Sequence, residues 1–302
     1  MSNETKTHVE CNPSWSTEPL RRVENILTDG CGSVEEWDFS LANSSYEARV
    51  YFVSKVASIC YGNPKALGSI NLFNRLEAES HGLPSSSYEF VPVLINMTNT
   101  YVDYTAKNPT IRNVKAKLST CVKFGECIGK YLLTNLRALI ADVGSEESLK
   151  YLNTSDEEIQ IIRDNFKVFL FNVDLSTRAQ MVRHRVSWQE LSRRYVSGKK
   201  QPFEFYISKK MENLEHEDCN FGRYSTEWII QTCIAHYDAA IASGIKPEEA
   251  RRILPQAMMT TIWGAFQPSQ LDNWFQLRLD AHAQREIRHV AEAMKELTCP
   301  TI

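Results

Sequence analysis

Between Gln180 and Tyr195 the chain reads Gln180-Met181-Val182-Arg183-His184-Arg185-Val186-Ser187-Trp188-Gln189-Glu190-Leu191-Ser192-Arg193-Arg194-Tyr195. Four arginines, a histidine and a carboxylate share these sixteen residues. Like charges at that density repel one another unless an anion joins them. A phosphorylated ligand supplies the missing charge. Arginine meets phosphate through paired N–H donors and stays charged, and a serine hydroxyl with loop amides completes such a cradle. Glu190 then serves as a base, or as the orienter of an arginine. The bland alternative is a helix of solvated charges paired with acids elsewhere. Hydrolase chemistry through Ser192 and His184 is disfavoured. No acid is placed to orient His184, and there is no nucleophile elbow.

Two distant segments bear on the choice. One is Glu249-Ala250-Arg251-Arg252-Ile253-Leu254-Pro255 and the other runs from Leu271 to Arg288. In the second, Arg278 follows Trp274, Phe275 and Leu277, so it is expected to be partly buried and to need a partner or a ligand. The aromatics themselves read as core.

The elements that must position these groups are legible in outline. Two strand-like runs between Arg22 and Phe39 flank a turn at Asp29-Gly30-Cys31-Gly32. Ser45 reads as the N-cap of a helix reaching Cys60, and a second helix covers Leu67 to Glu79. His81 to Ser87 is a loop, and Tyr88 to Ile95 a strand. A long helical pattern runs from Val114 to Ala141, with a charged helix near Ser155 to Phe166. Phe166 to Val173 is β-like, and Ser176 caps a short helix holding Arg178, Gln180, Arg183 and His184. Gln180 and Arg183 share one face of it. Glu190, Ser192, Arg193 and Arg194 follow in a loop. Phe203 to Ile207 and Met258 to Phe266 are strands. Thr226 to Ser243 is a helix closed by Gly244, and Pro247 opens another turn. One long helix is expected from Pro268 to Leu297.

Composition narrows the class. The formal charge of the 302 residues is −3, so no global basic field for long nucleic acid exists. Between Ser176 and Gln201, however, seven Lys/Arg face a single acid, Glu190, which suits a compact anion. No run approaches the roughly eighteen apolar residues of a membrane span. No secretory signal is expected at the N-terminus, and residues 1–20 read as a loose tail. The eight cysteines are scattered without ligand spacing, as for reduced thiols in a cytoplasmic protein with no metal site.

Taken together, Gln180...Arg183-His184-Arg185...Glu190...Ser192-Arg193-Arg194-Tyr195, Ala250-Arg251...Leu254-Pro255 and Asn273...Leu277-Arg278...Ala283-Gln284...Glu286-Ile287-Arg288 resemble the flavin-dependent thymidylate synthases. Ala57-Ser58-Ile59-Cys60-Tyr61 is similar to that family's N-terminal helix end. The likeness covers about residues 21 to 95 and 166 to 300. It implies an α/β (α+β) fold, a central mixed or antiparallel sheet flanked by helices, over residues 21–302, with a helical insertion at about 100–165. It implies FAD, with NADPH and methylene-tetrahydrofolate as cosubstrates, and methyl transfer to dUMP giving dTMP. It also implies a homotetramer with shared sites.

By the same resemblance, Gln180, Arg183, Glu190, Leu191, Ser192, Arg193, Arg194, Arg251 and Arg278 surround dUMP. Arg278 stabilises negative charge on the uracil ring, a fixed cation beside a developing anion. Ser86, Glu89, Arg183, His184, Arg185, Glu190, Gln267, Ser269, Asn273 and Leu277 meet FAD. The Pro-Cys-His nucleophile of the other thymidylate synthase class is missing. Two departures stand out. Six residues, Val186 to Leu191, separate Arg185 from Ser192 where the family has seven. Gln267 stands where the family often has Asn. A relative acting on UMP or dCMP, or a non-catalytic nucleotide- or RNA-binding protein, is the alternative reading.

Overall fold

The computed structural model describes residues 21–27, 31–63, 68–79, 84–98, 102–103, 110–111, 118–212, 214–218 and 222–298. The expected tail at 1–20, the turn residues Asp29 and Gly30, and His81 lie outside them. The chain forms two compact units. One comprises Met1–Arg22, Trp37–Ser58 and Lys65–Val168; the other comprises Val23–Glu36, Ile59–Pro64 and Phe169–Ile302.

The second unit holds a five-stranded sheet. In chain order its strands are β1 (Arg21–Leu27), β2 (Ser33–Asp38), β3 (Lys167–Asp174), β4 (Ser187–Glu190) and β5 (Met259–Phe266), and in space they run β1-β2-β3-β5-β4. β4 and β5 are antiparallel, with Trp188 opposite Gly264 and Glu190 opposite Ile262. β5 is almost wholly buried, as a central strand covered on both faces must be. Four helices complete the frame: α1 (Leu175–Met181), α2 (Thr226–Ala242), α3 (Pro268–Arg278) and α4 (Arg285–Thr298). α4 buries Ile287, Val290, Ala291 and Met294, the i, i+3, i+4, i+7 stripe of an amphipathic helix. That stripe joins Phe169, Phe171, Ile262, Phe266 and Trp274 in one core.

Gly264 is required by a close approach. A Cβ there would lie 2.6 Å from the Trp188 ring and 3.0 Å from Phe171 and Phe266. The bare backbone lets the indole fold over the strand.

The cap of α1 differs from expectation. Asp174, at the end of β3, accepts from the Thr177 amide at 3.0 Å and from the Thr177 hydroxyl at 2.7 Å. Ser176 is already inside the helix. The carboxylate reaches two donors where a serine two residues later reaches none of the first-turn amides. Asp174→Ala is expected to cost about 1 kcal/mol, read as a shifted urea midpoint at unchanged slope.

The expected final helix breaks in two. After Arg278 the Asp280 carboxylate accepts from the His282 amide at 2.8 Å, and the Asp280 carbonyl takes the Ala283 amide at 3.0 Å. This local turn competes with helix propagation. Likewise Phe203–Ile207 is reduced to a single bridge, Phe205 to Met258.

The first unit opens with a helix, Tyr46–Ser58, capped as expected by Ser45, whose hydroxyl accepts from the Ala48 amide at 3.0 Å. Its sheet has three antiparallel strands in the order Pro92–Asn96, Tyr131–Asn135, Glu126–Ile128. Of the strand expected over Tyr88 to Ile95, Ser86–Phe90 is a 3-10 turn.

The long helix expected from Val114 to Ala141 is also corrected. Its described part is a short helix (Ser119–Phe124), two strands and a helix (Leu136–Val143). Gly129, at φ +56°, and Lys130 form the two-residue turn between the strands. Tyr131–Asn135 is buried throughout, and pairing with Pro92–Asn96 outweighs its helix-like apolar spacing. The charged helix is present at Asp156–Asn165, with Ser155 as its cap. No helix among the described residues is long and apolar enough to cross a membrane.

Candidate functional site

The Arg-His-Arg segment sits in the turn between α1 and β4. The helix stops at Met181, so Arg183 and His184 lie just past its end rather than on it. The His184 amide bonds back to the Met181 carbonyl, and the Val186 amide to the His184 carbonyl, both at 3.0 Å. The second bond spans only two residues, a γ-turn. It is the tight reversal by which the six-residue spacing delivers Ser187 straight into β4. The indole N–H of Trp188 donates to the same His184 carbonyl at 3.1 Å. Glu190, expected in a loop, is the last residue of β4.

This turn drives His184 inward while Arg183 and Arg185 stay exposed. The imidazole is 6% exposed and packs on Trp274, ring centroids 4.7 Å apart. Arg278, in the last turn of α3, donates Nε–H to His184 Nε2 at 2.8 Å and NH2 to the Gln180 carbonyl at 3.1 Å. A guanidinium cannot accept, so Nε2 is the acceptor and the ring proton resides on Nδ1. Asn273, 3.5 Å from Nδ1, then serves the ring best with its amide oxygen turned towards it.

Burial first, and the Arg278 charge second, push the His184 pKa down from 6.5 to about 4. The folded ring is therefore neutral where the unfolded one takes up a proton. Folded stability is fully present above pH 6.5 and is lost as pH falls towards 4. Melting temperatures measured from neutral to acid pH should show this decline, and His184→Asn should flatten it.

The arginines divide by partner. Arg178 donates to Glu190 Oε2 from Nε at 2.8 Å and from NH2, and Thr260 donates to Oε1 at 3.1 Å. Arg194 is exposed and stands 3.5 Å from Glu248. Arg193 is buried; its guanidinium stacks on Phe203 at 4.8 Å and donates to the Gln201 carbonyl at 3.0 Å. Its side chain thus braces the loop, while its Nε is buried with no hydrogen-bond partner among the described residues. Leu191 is buried too, its amide extending the ladder to the Thr261 carbonyl at 2.9 Å. Ser192 heads the turn, its carbonyl accepting the amides of Tyr195 and Val196.

Arg183, Arg185 and Arg251 are exposed and have no carboxylate partner among the described residues. Solvated charges neutralised by acids would look like Arg194; these three do not. Burial, and then the charge of Arg183, lower the Arg278 pKa. Two cations therefore stand near enough to repel, and neither has a carboxylate partner among the described residues, as an anion site requires.

Against the turn lies the start of α3. His184, Arg185, Val186, Ser269, Gln270 and Asn273 line a cleft of about 180 Å³. Gln267 is the N-cap of α3 and exchanges bonds with Gln270 in a capping box, so its amide is committed to the helix. Gln270 also donates to the Arg185 carbonyl at 2.9 Å, tying turn to helix. Leu277, one turn beyond Asn273, is 51% exposed. Gln180 donates to Gln284 at 2.5 Å. Ser86 and Glu89 belong to the first unit, where Ser86 is exposed and Glu89 pairs with Arg137.

Sequence reasoning left Arg178, Thr260, Gln270 and Gln284 out of the site. Arg178 carried a signal, since it lies two residues before Gln180. Gln284 stands in the third motif that carries the resemblance; Thr260 and Gln270 gain their place only through the fold.

The family model described as thymidylate synthase complementing protein matches residues 145–301. Relatives called flavin-dependent thymidylate synthase include one from Aquifex aeolicus, 32% identical over 145 residues, covering 44% of this chain and 45% of the relative. One from Geobacter sulfurreducens is 30% identical over 182 residues, covering 55% of this chain and 76% of the relative. One from Pyrococcus furiosus is 33% identical over 134 residues, covering 42% and 53%. The chain thus spans about half the length of the Aquifex and Pyrococcus relatives and three quarters of the Geobacter one.

Proposed function

Since the chain belongs to the thymidylate synthase complementing protein family, we propose that it is a flavin-dependent methyltransferase converting dUMP to dTMP, with methylene-tetrahydrofolate and NADPH as cosubstrates. The observation that carries this reading is the Arg278 guanidinium. His184 and the Gln180 carbonyl fix its Nε and NH2. Its NH1 has no partner among the described residues. A cation held in that way meets developing negative charge on a uracil ring without reorganising.

The nucleotide phosphate would take the unneutralised cations Arg183 and Arg251, with Arg194 exchanging Glu248 for the ligand. Gln180, Glu190, Leu191 and Ser192 would complete the pocket through side chains or backbone. Arg193 would meet the nucleotide as well, its stack on Phe203 holding the loop.

FAD fits the residues present. Arg185 and Arg183 are cations without acids, and the Ser269–Gln270–Asn273 edge gives a cleft beside a neutral imidazole. Hydride donation is the chemistry the bound flavin supplies. His184 would offer it an uncharged, fixed ring face; Asn273, Ser269 and Leu277 would line it, and Gln267 would serve it by capping α3. We assign Ser86 and Glu89 to the flavin as well, and take residues 21–302 as one catalytic domain with 100–165 inserted. A cytoplasmic homotetramer with shared sites is part of the same proposal.

Tritium release from carbon-5-labelled dUMP, UMP and dCMP, run in parallel with NADPH and methylene-tetrahydrofolate, tests the reading. Release from dUMP by a yellow protein is expected. Protein that stays colourless with added FAD and releases no tritium would overturn it.

A further inference from the structure

We propose that Arg178 is a positioning residue for the pyrimidine nucleotide, acting through Glu190; the inference rests on the function proposed above. The backbone at Glu190 is fixed. It pairs with Ile262 across the sheet, its carbonyl accepts the Cys60 thiol at 3.4 Å, and the next amide bonds to Thr261. Only the side-chain torsions are left to set, and Arg178 sets them with Thr260.

Two of its N–H groups converge on Oε2, and the Thr260 hydroxyl takes one position on Oε1. A carboxylate offers about four acceptor positions, so one on Oε1 stays open. An acceptor of that kind suits an N–H or O–H donor on the base or sugar and repels phosphate. Glu190 thus sorts the ends of the nucleotide: its donor-bearing part to β4, its phosphate to Arg183 and Arg251. Arg178 is half-buried and reaches the carboxylate from α1.

The experiment is a double-mutant cycle on the FAD-loaded chain. Kd for labelled dUMP is measured by equilibrium dialysis beside kcat and KM, for wild type, R178M, R178K, E190Q and R178M/E190Q. R178M should weaken dUMP about tenfold or more, the size of a lost charge-assisted bond. KM should rise more than kcat falls, and R178K should recover part of the loss. In the E190Q background, R178M should add almost nothing. A purely structural arginine would cost as much there as in wild type, and that outcome overturns the assignment. If R178M does not fold, the same cycle built with R178K separates the two outcomes in the same way. Wild-type protein that binds no dUMP would instead overturn the functional reading itself.

Discussion

Exchanging Arg278 for methionine should lower tritium release from dUMP by about a hundred- to a thousandfold in kcat, with Kd for dUMP changed far less. The reason is geometric. The guanidinium is held at Nε by His184 and at NH2 by the Gln180 carbonyl, so its free edge is aimed before any ligand arrives. Arg278→Lys keeps the charge but cannot make both bonds and point a third donor, so it should restore little. The same variants have a second readout. Removing the Arg278 charge takes away one of two causes of the low His184 pKa, so the imidazole should titrate higher than about 4 in an NMR experiment. Burial still opposes protonation, so the rise should stop short of 6.5. A kcat within a few-fold of wild type for Arg278→Met would remove the central residue of the proposed mechanism.

Trp274→Ala should cost about 3–5 kcal/mol of folding stability, measured by urea denaturation. Trp274 is fully buried and packs on His184, Trp188 and Phe266 at centroid distances of 4.7, 6.4 and 5.7 Å. Deleting it opens a void beneath the imidazole that Arg278 orients. FAD retention should fall together with stability. Trp274→Phe should be much milder, because the buried indole Nε1 has no hydrogen-bond partner to lose. Equal costs for the two variants would show that the void is not what matters.

Much of this arrangement was legible in the chain. The β-like runs at 166–173 and 258–266 are strands within a residue or two, and Trp274 is core, because apolar runs of that length have one stable place in a packed sheet. The arginine cluster was visible as charge, and Arg278 as a cation among apolar neighbours. Other features were hidden for identifiable reasons. Ser187–Glu190 has no strong β composition and becomes a strand because β5 offers an edge. Tyr131–Asn135 has helix-like spacing, overruled by a partner about forty residues earlier. Asp174 caps α1 because β3 ends there, which spacing alone did not place. The split between α3 and α4 hangs on one carboxylate, Asp280. Within the site, the resemblance marked Arg193 as a ligand contact, and what the chain alone did not show is that its guanidinium also stacks on Phe203 and donates to the Gln201 carbonyl. Conversely, the partners of Glu190 come from α1 and β5, elements far apart in sequence, and no local pattern announces such a meeting.

The glycine beneath the Trp188 indole has a historical consequence. A methyl at 264 would lie 2.6 Å from that ring and 3.0 Å from the Phe171 and Phe266 rings, so a smaller side chain at 188 removes only the tightest of three contacts. Exchange at the two positions is therefore ordered in time. A lineage that adds the methyl must first make room at 188, and the two phenyl rings must then give by a few tenths of an ångström. Sequences carrying alanine at 264 should therefore lack the tryptophan at 188 and carry altered packing at 171 or 266.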